Sequence, residues 1–288
     1  LDPHWKFHKR KVVACAERLV KNPPALMSYN AAVTVVEPSG EGNVELCYDL
    51  GEQNCGYYQL DLIADEGVCV DIAGVENVFE NCRPQHTSYY RNSMRYVTKQ
   101  GRHRFASLKR RSGRYLFITL RNQTSAVKIR HIGLIESTYP VNEIGRFHCS
   151  DTRLDKIWEI SARTLKLCME DTFTDCPLYE QTFWVGDARN EALFAFSAFG
   201  ATDIVRNGLT LAAQSLEHYP MVGSQVPTNW KSILPAWGFL WGIAVWDYYF
   251  YSGDTDYLKE IFPAVLQNIQ GAEAMLDAHG PLDQHFYY

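Results

Sequence analysis

One stretch of the chain concentrates the side chains that can do chemistry. It reads Phe173-Thr174-Asp175-Cys176-Pro177-Leu178-Tyr179-Glu180-Gln181-Thr182-Phe183-Trp184-Val185-Gly186-Asp187. Three carboxylates, Asp175, Glu180 and Asp187, share it with the aromatic rings of Tyr179, Phe183 and Trp184. A carboxylic acid among aromatic rings loses hydration, which raises its pKa. Such an acid can keep its proton near neutral pH and deliver it to a departing glycosidic oxygen. The neighbouring carboxylates can accept hydrogen bonds from sugar hydroxyls, and aromatic faces suit the apolar side of a pyranose. A plainer reading stays open beside this one: Asp187 caps a helix, Asp175 holds a turn and Glu180 is solvated. Trp230, in a loop after Pro227-Thr228-Asn229, is a further candidate for ligand contact.

Other chemistries lack an anchor. There is no Gly-x-Gly-x-x-Gly or Gly-x-x-x-x-Gly-Lys-Ser/Thr loop for phosphates, no His-Glu-x-x-His helix and no Gly-x-Ser-x-Gly elbow. The 8 Cys are scattered with no Cys-x-x-Cys, so no metal site is expected, and the proposed chemistry requires no cofactor. So few cysteines in so long a chain suit thiols in a reducing compartment better than a disulfide scaffold.

The elements that must position these residues fall into two halves. From about 31 to 138 the apolar period is two. Val44, Leu46, Tyr48 and Leu50 alternate with polar neighbours, as do Tyr58, Leu60 and Leu62, and further β-rich runs cover 68–72, 115–120 and 127–135. Turn residues such as Gly40-Glu41-Gly42-Asn43 and Arg111-Ser112-Gly113 separate them. This pattern predicts an antiparallel β-sandwich over residues 1–140. After Pro140 the period becomes helical. Ser150 is placed to cap a helix with Leu154, Ile157, Trp158, Ser161, Leu165 and Cys168 on one inward face. Four more helices are predicted, over about 187–199, 202–216, 235–251 and 256–279. Gly200 and Gly253 end two of them. Gly186 reads as a loop residue closing onto Asp187, and Trp237 and Trp241, four apart, read as a core stripe. No strand interrupts these helices, and several are apolar on more than one face, which suits part of a larger helical assembly over 141–288.

Composition bounds the function. Of 288 residues, 46% are hydrophobic and 21% charged, which is globular and argues against disorder. The net charge of −5 gives no basis for binding nucleic acid by phosphate neutralisation. No apolar run approaches the ~20 residues that span a bilayer, so no membrane partner is expected. The opening Leu1-Asp2-Pro3-His4-Trp5 has no signal-peptide pattern and reads as mid-protein sequence, favouring the cytoplasm over secretion. The expected partner is a carbohydrate substrate; the sequence sets no oligomeric state.

Phe147-His148-Cys149-Ser150-Asp151, Leu154-Asp155-Lys156-Ile157-Trp158, Arg163-Thr164-Leu165 and above all Asp175-Cys176-Pro177, Glu180 and Trp184-Val185-Gly186-Asp187 resemble the entry to the catalytic domain of family 78 glycoside hydrolases, the α-L-rhamnosidases. The β half, with Tyr48-Asp49-Leu50-Gly51 and Arg95-Tyr96-Val97-Thr98, resembles the β-sandwich before that domain. The resemblance implies the first part of an (α/α)6 barrel and an inverting hydrolase. It implies Glu180 as general acid, with Asp175, Asp187, Trp184 and Tyr179 binding the sugar. The general base would be a Glu outside this chain. Three positions depart from the family pattern: Tyr179 stands where Arg is usual, Phe183 where Gly is usual and Phe239 where Asp is common. These substitutions admit a related sugar, or a catalytically inactive carbohydrate-binding protein on the same scaffold. An interaction module with no sugar ligand is the remaining alternative.

Overall fold

A computed structural model describes residues 5–9, 16–27, 32–79, 84–85, 92–229 and 232–279. The chain divides into two compact units, 1–137 and 138–288.

The first unit is built on an antiparallel sheet whose order is β2 (Val20–Lys21), β3 (Thr34–Val36), β11 (Val127–Glu136), β4 (Val44–Ala64), β10 (Arg111–Arg121), β5 (Cys69–Val75) and β8 (Ser93–Val97). Two more strands, β1 (Trp5–Lys9) and β9 (Gly101–Ala106), also pair with β4. A separate hairpin joins β6 (Asn77–Val78) to β7 (Pro84–Gln85). The alternating runs at 44–50 and 58–62 are one 21-residue strand, not two. Gly51 takes a left-handed φ of 87°, and its N–H is held by Asp49 Oδ1 at 2.8 Å, so the chain bends without ending the ladder. The register of β10 slips beside this bend, between Gly113 and Tyr115. The N-terminal part of β4 pairs with β1 and β10, and its C-terminal part with β9 and β11. Inward residues of both parts, including Leu46, Tyr48, Tyr58, Leu60 and Leu62, share one core with Val70, Ile72, Ile118 and Ile129. The two expected layers are thus joined as one continuous hydrogen-bonded sheet.

The second unit holds α1 (Thr152–Leu167), α2 (Val185–Phe199), α3 (Thr202–Gln214), α4 (Pro235–Ser252) and α5 (Thr255–His279). Asp151, not Ser150, caps α1: its side chain accepts from Arg153 N. Gly200 and Gly253 both adopt the left-handed cap conformation, giving tight links from α2 to α3 and from α4 to α5. The other two connections, 168–184 and 215–234, are long. Phe173, Phe183, Ala192, Phe196, Leu209 and Trp241 pack in the common core. The face expected to bury α1 is only partly inward. Leu165 is buried, but Leu154 and Ile157 are exposed and line an apolar groove of about 410 Å³ with Phe147 and Phe194. Ile243, Trp246 and Phe250 on α4, and Leu266 and Ile269 on α5, are exposed as well. No disulfide joins any of the six described cysteines. No helix among the described residues is long and apolar enough to cross a membrane.

Candidate active site

The two long connections of the helical unit meet, and their meeting builds the site. In the first, α1 ends at Leu167 and the chain doubles back through a Met169–Phe173 bridge, with Thr174 N–H donating to Cys168 O at 2.8 Å. Asp175 then closes a loop on itself. Its N–H donates to Thr182 O, and Thr182 N–H returns to Asp175 Oδ1, both at 3.1 Å. The carboxylate read as a sugar ligand therefore also holds the loop. Gln181 completes the closure in a left-handed conformation, φ 52°, with its amide donating to Pro177 O at 2.7 Å.

Glu180 stands on the outside of this loop. It is exposed, not buried among aromatic rings as the sequence suggested. Phe183, expected beside it, turns inward to the core and packs against Gly208. Trp184 is the ring that remains. Its Nε1 donates to Glu180 Oε2 at 2.6 Å, fixing the carboxyl and the indole against each other. Tyr179 is half-buried in the same loop. Trp230 lies outside the described residues.

Helix α2 begins earlier than its polar residues suggested. Trp184 is its N-cap and Gly186 lies in its first turn, so Asp187 is a first-turn residue, exposed, at the positive end of the helix. The second connection explains the early start. Ser224 O accepts from Val185 N–H at 2.9 Å, Phe183 O accepts from Val226 N–H at 3.3 Å, and Trp184 pairs with Gln225. A buried network holds that second segment. Ser224 Oγ accepts from Leu234 N–H, Ser215 Oγ accepts from Gly223 N–H, and Asn268 Oδ1 accepts from Val222 N–H. Neither Gln225 Nε2 nor Trp237 Nε1, both buried, has a partner among the described residues.

Trp237 is where α4 presses on the site. A Cβ added at Gly186 would fall 2.5 Å from Trp237 Cδ2 and 2.7 Å from two more ring atoms. A Gly186→Ala substitution is expected to cost about 1–3 kcal/mol by overpacking and to displace the first turn of α2. A thermal melt shows the first effect. Loss of affinity for the carbohydrate ligand expected from the sequence, at temperatures where the variant is folded, shows the second; an unchanged melt would refute the contact.

A fourth carboxylate escaped the sequence reading. Glu191 lies one turn beyond Asp187 on α2. Burial, with the negative charges of Asp187 and then Asp175, pushes its pKa up to about 8. Asp175 is also raised, first by burial, with the charge of Glu180 adding to it. None of the four carboxylates forms an ion pair within the described residues, since Arg189 of the same helix is held by Asp247 of α4 at 2.8 Å. The spacing of four from Asp187 was the available signal for Glu191. The arrangement offers an exposed carboxyl oriented by an indole, two exposed or half-buried acceptors, and a half-buried acid whose pKa is raised.

Residues 142–283 match the model of the bacterial α-L-rhamnosidase six-hairpin glycosidase domain. The GH78 family rhamnosidase of Bacillus sp. GL1 has a crystal structure similar to this chain, with a TM-score of 0.83 at 40% identity over 88% of this chain and 26% of that one. An α-L-rhamnosidase of Formosa agariphila is 23% identical over 91% of this chain and 29% of its own length. The rhamnosidase of Klebsiella oxytoca solved with rhamnose bound shares the fold, with a TM-score of 0.69 at 18% identity over 96% of this chain and 57% of that one. The chain therefore spans less than a third of the first two relatives. With the matched residues running through nearly all of the helical unit, that unit belongs with the bacterial α-L-rhamnosidase six-hairpin glycosidase domains.

Proposed function

We propose that the protein carrying this chain hydrolyses terminal α-L-rhamnosyl linkages with inversion at the anomeric carbon, and that its five helices are part of an (α/α)6 barrel. The observation that carries the reading is the 2.6 Å contact from Trp184 Nε1 to Glu180 Oε2, which presents an exposed carboxyl at a fixed angle within a clamped loop. Glu180 donates the proton to the leaving oxygen. Asp187 and Asp175 accept from sugar hydroxyls, Trp184 offers its ring face, and Tyr179 and Trp230 extend the contact. An inverting pair leaves room for a water, with its carboxyls roughly 6.5–9.5 Å apart. The base is assigned to a Glu outside this chain, as the family resemblance implies. The exposed apolar side chains of α1, α4 and α5 support the barrel reading, because further helices would bury them.

The test is a panel of aryl glycosides given to the full-length protein, with the first-formed sugar followed by NMR. Release of β-L-rhamnose from the α-L-rhamnoside is the expected result. First release of the α-anomer would overturn inversion. Turnover of another glycoside with none of the rhamnoside would overturn the substrate.

A further inference from the structure

The outward face of the sheet carries a cavity that the site above does not use. Across four strands the register sets Glu45 of β4 beside Thr119 of β10, Thr119 beside Asp71 of β5, and Asp71 beside Arg95 of β8. Their neighbours Leu46, Ile118 and Ile72 point into the core, so this row points away from it. Asp71 is gripped from two sides. Arg95 Nε and Nη2 reach its oxygens at 2.6 and 2.8 Å, and Arg121 Nε reaches Oδ2 at 2.7 Å. Thr119 Oγ1 donates to Glu45 Oε2 at 2.6 Å, and Glu45 is only 3% exposed. Two residues further along the strands, the parallel row Cys47, Phe117 and Ala73 is apolar and packs with Val75 and, from the hairpin, Val78. The cavity between hairpin and sheet measures about 370 Å³ and is lined by both rows.

The chemistry of this lining selects a class of ligand. The charged groups that line it are equal in number, two carboxylates and two guanidinium groups, so neither sign dominates the lining. The groups hold one another in fixed planes, so little side-chain freedom remains to be lost on binding. Donors remain: neither terminal nitrogen of Arg121, nor Nη1 of Arg95, has a partner among the described residues. A neutral molecule whose groups each donate and accept, with one apolar side for the Phe117 and Ala73 end, matches this row. A pyranose has that make-up, since each hydroxyl is both donor and acceptor. The volume lies within the range of roughly 300–1,000 Å³ usual for small-ligand sites. We propose that this face of the β unit is a second, non-catalytic carbohydrate site that takes one neutral pyranoside residue between the Asp71–Arg95–Arg121 cluster and the apolar row. It does not depend on the hydrolytic reading of the helical unit.

The experiment uses the full-length protein carrying Glu180→Gln, so that no ligand is turned over. Saturation-transfer NMR is recorded with the methyl pyranosides of glucose, galactose, mannose and L-rhamnose at millimolar concentration. Arg121→Gln removes donors from the cavity. Ser93→Trp fills it from an exposed position while leaving both Asp71 ion pairs in place, which guards against a variant that fails to fold. For at least one sugar the signal is expected to fall fivefold or more in both variants. In the Glu180 background the hydrolytic kcat/KM of the same variants is expected to stay within twofold of the parent. Signals that survive both substitutions for every sugar that binds, an absence of any signal, or binding displaced by inorganic sulfate but by no competing sugar would each overturn the proposal. Loss of hydrolysis on every substrate, with variant-sensitive sugar binding retained, would count against the hydrolytic reading alone.

Discussion

Replacing Glu180 by Gln in the full-length protein is expected to lower kcat by roughly 10²–10⁴-fold on a rhamnoside with an unactivated alcohol as leaving group. That loss corresponds to about 3–5 kcal/mol of transition-state stabilisation. The amide matches the carboxyl in shape, and its oxygen can still accept from Trp184 Nε1, so the loop and the indole keep their places. What disappears is the proton that leaves with the glycosidic oxygen. KM should change little, because the sugar-holding groups remain. The leaving group makes the test specific. A nitrophenolate departs with little protonation, so the aryl rhamnoside should lose much less than the alkyl one. Steady-state kinetics on both substrates supply the ratio. Equal losses would point to a structural role for Glu180, and no loss on either would remove it from the mechanism. Trp184→Phe is the companion change: it keeps a ring but frees the carboxyl, and its effect should lie between wild type and Glu180→Gln.

Some of this candidate site is legible in the sequence, because its residues are nearly contiguous. Asp175, Glu180 and Trp184 fall in one connection, which Pro177 marks as irregular, and Asp187 follows in the first turn of α2. Their orientation was not legible. Phe183 and Trp184 are neighbours of the same type, yet one enters the core and the other meets Glu180. The choice is made by the pairing of 183–185 with 224–226, forty residues away, which no local pattern reveals. The same pairing supplies a partner for the Val185 N–H and starts α2 before its polar first turn. In the β unit, the runs at 44–50 and 58–62 read as separate, but Gly51 bends one continuous strand, and a glycine that bends a strand looks like one that ends it in sequence. Leu154 and Ile157 were readable as apolar, but periodicity says which residues share a face, not what covers it.

Glu191 shows the limit from the other side, and it carries the second large expectation. A half-buried carboxyl beside Asp187 and Asp175 is held up to about 8, against 4.5 for an ordinary glutamate. Below pH 4.5 the folded and unfolded chains both keep this proton, and its contribution to stability is fully present. Between 4.5 and about 8 only the folded protein keeps it, so that contribution falls as pH rises and is gone above the folded value. One retained proton gives a slope of at most about 1.4 kcal/mol per pH unit, and partial solvent access reduces the total to a few kcal/mol. Glu191→Gln keeps the neutral form at every pH. Its melting temperature relative to wild type should therefore be near zero difference at pH 5 and rise steadily to pH 8, where the variant is the more stable protein. The depressed carboxylates do not mask this. Asp71, held down by its hydrogen bond from Arg95, and Asp61, held down by that from Arg102, lose their contributions as pH falls below the ordinary carboxylate range, outside this window. Melts of the two full-length proteins at pH 5, 6, 7 and 8 are sufficient. Parallel curves would mean that Glu191 is already ionised at pH 5, and its burial beside two other carboxylates would then need a cation that the described residues do not supply.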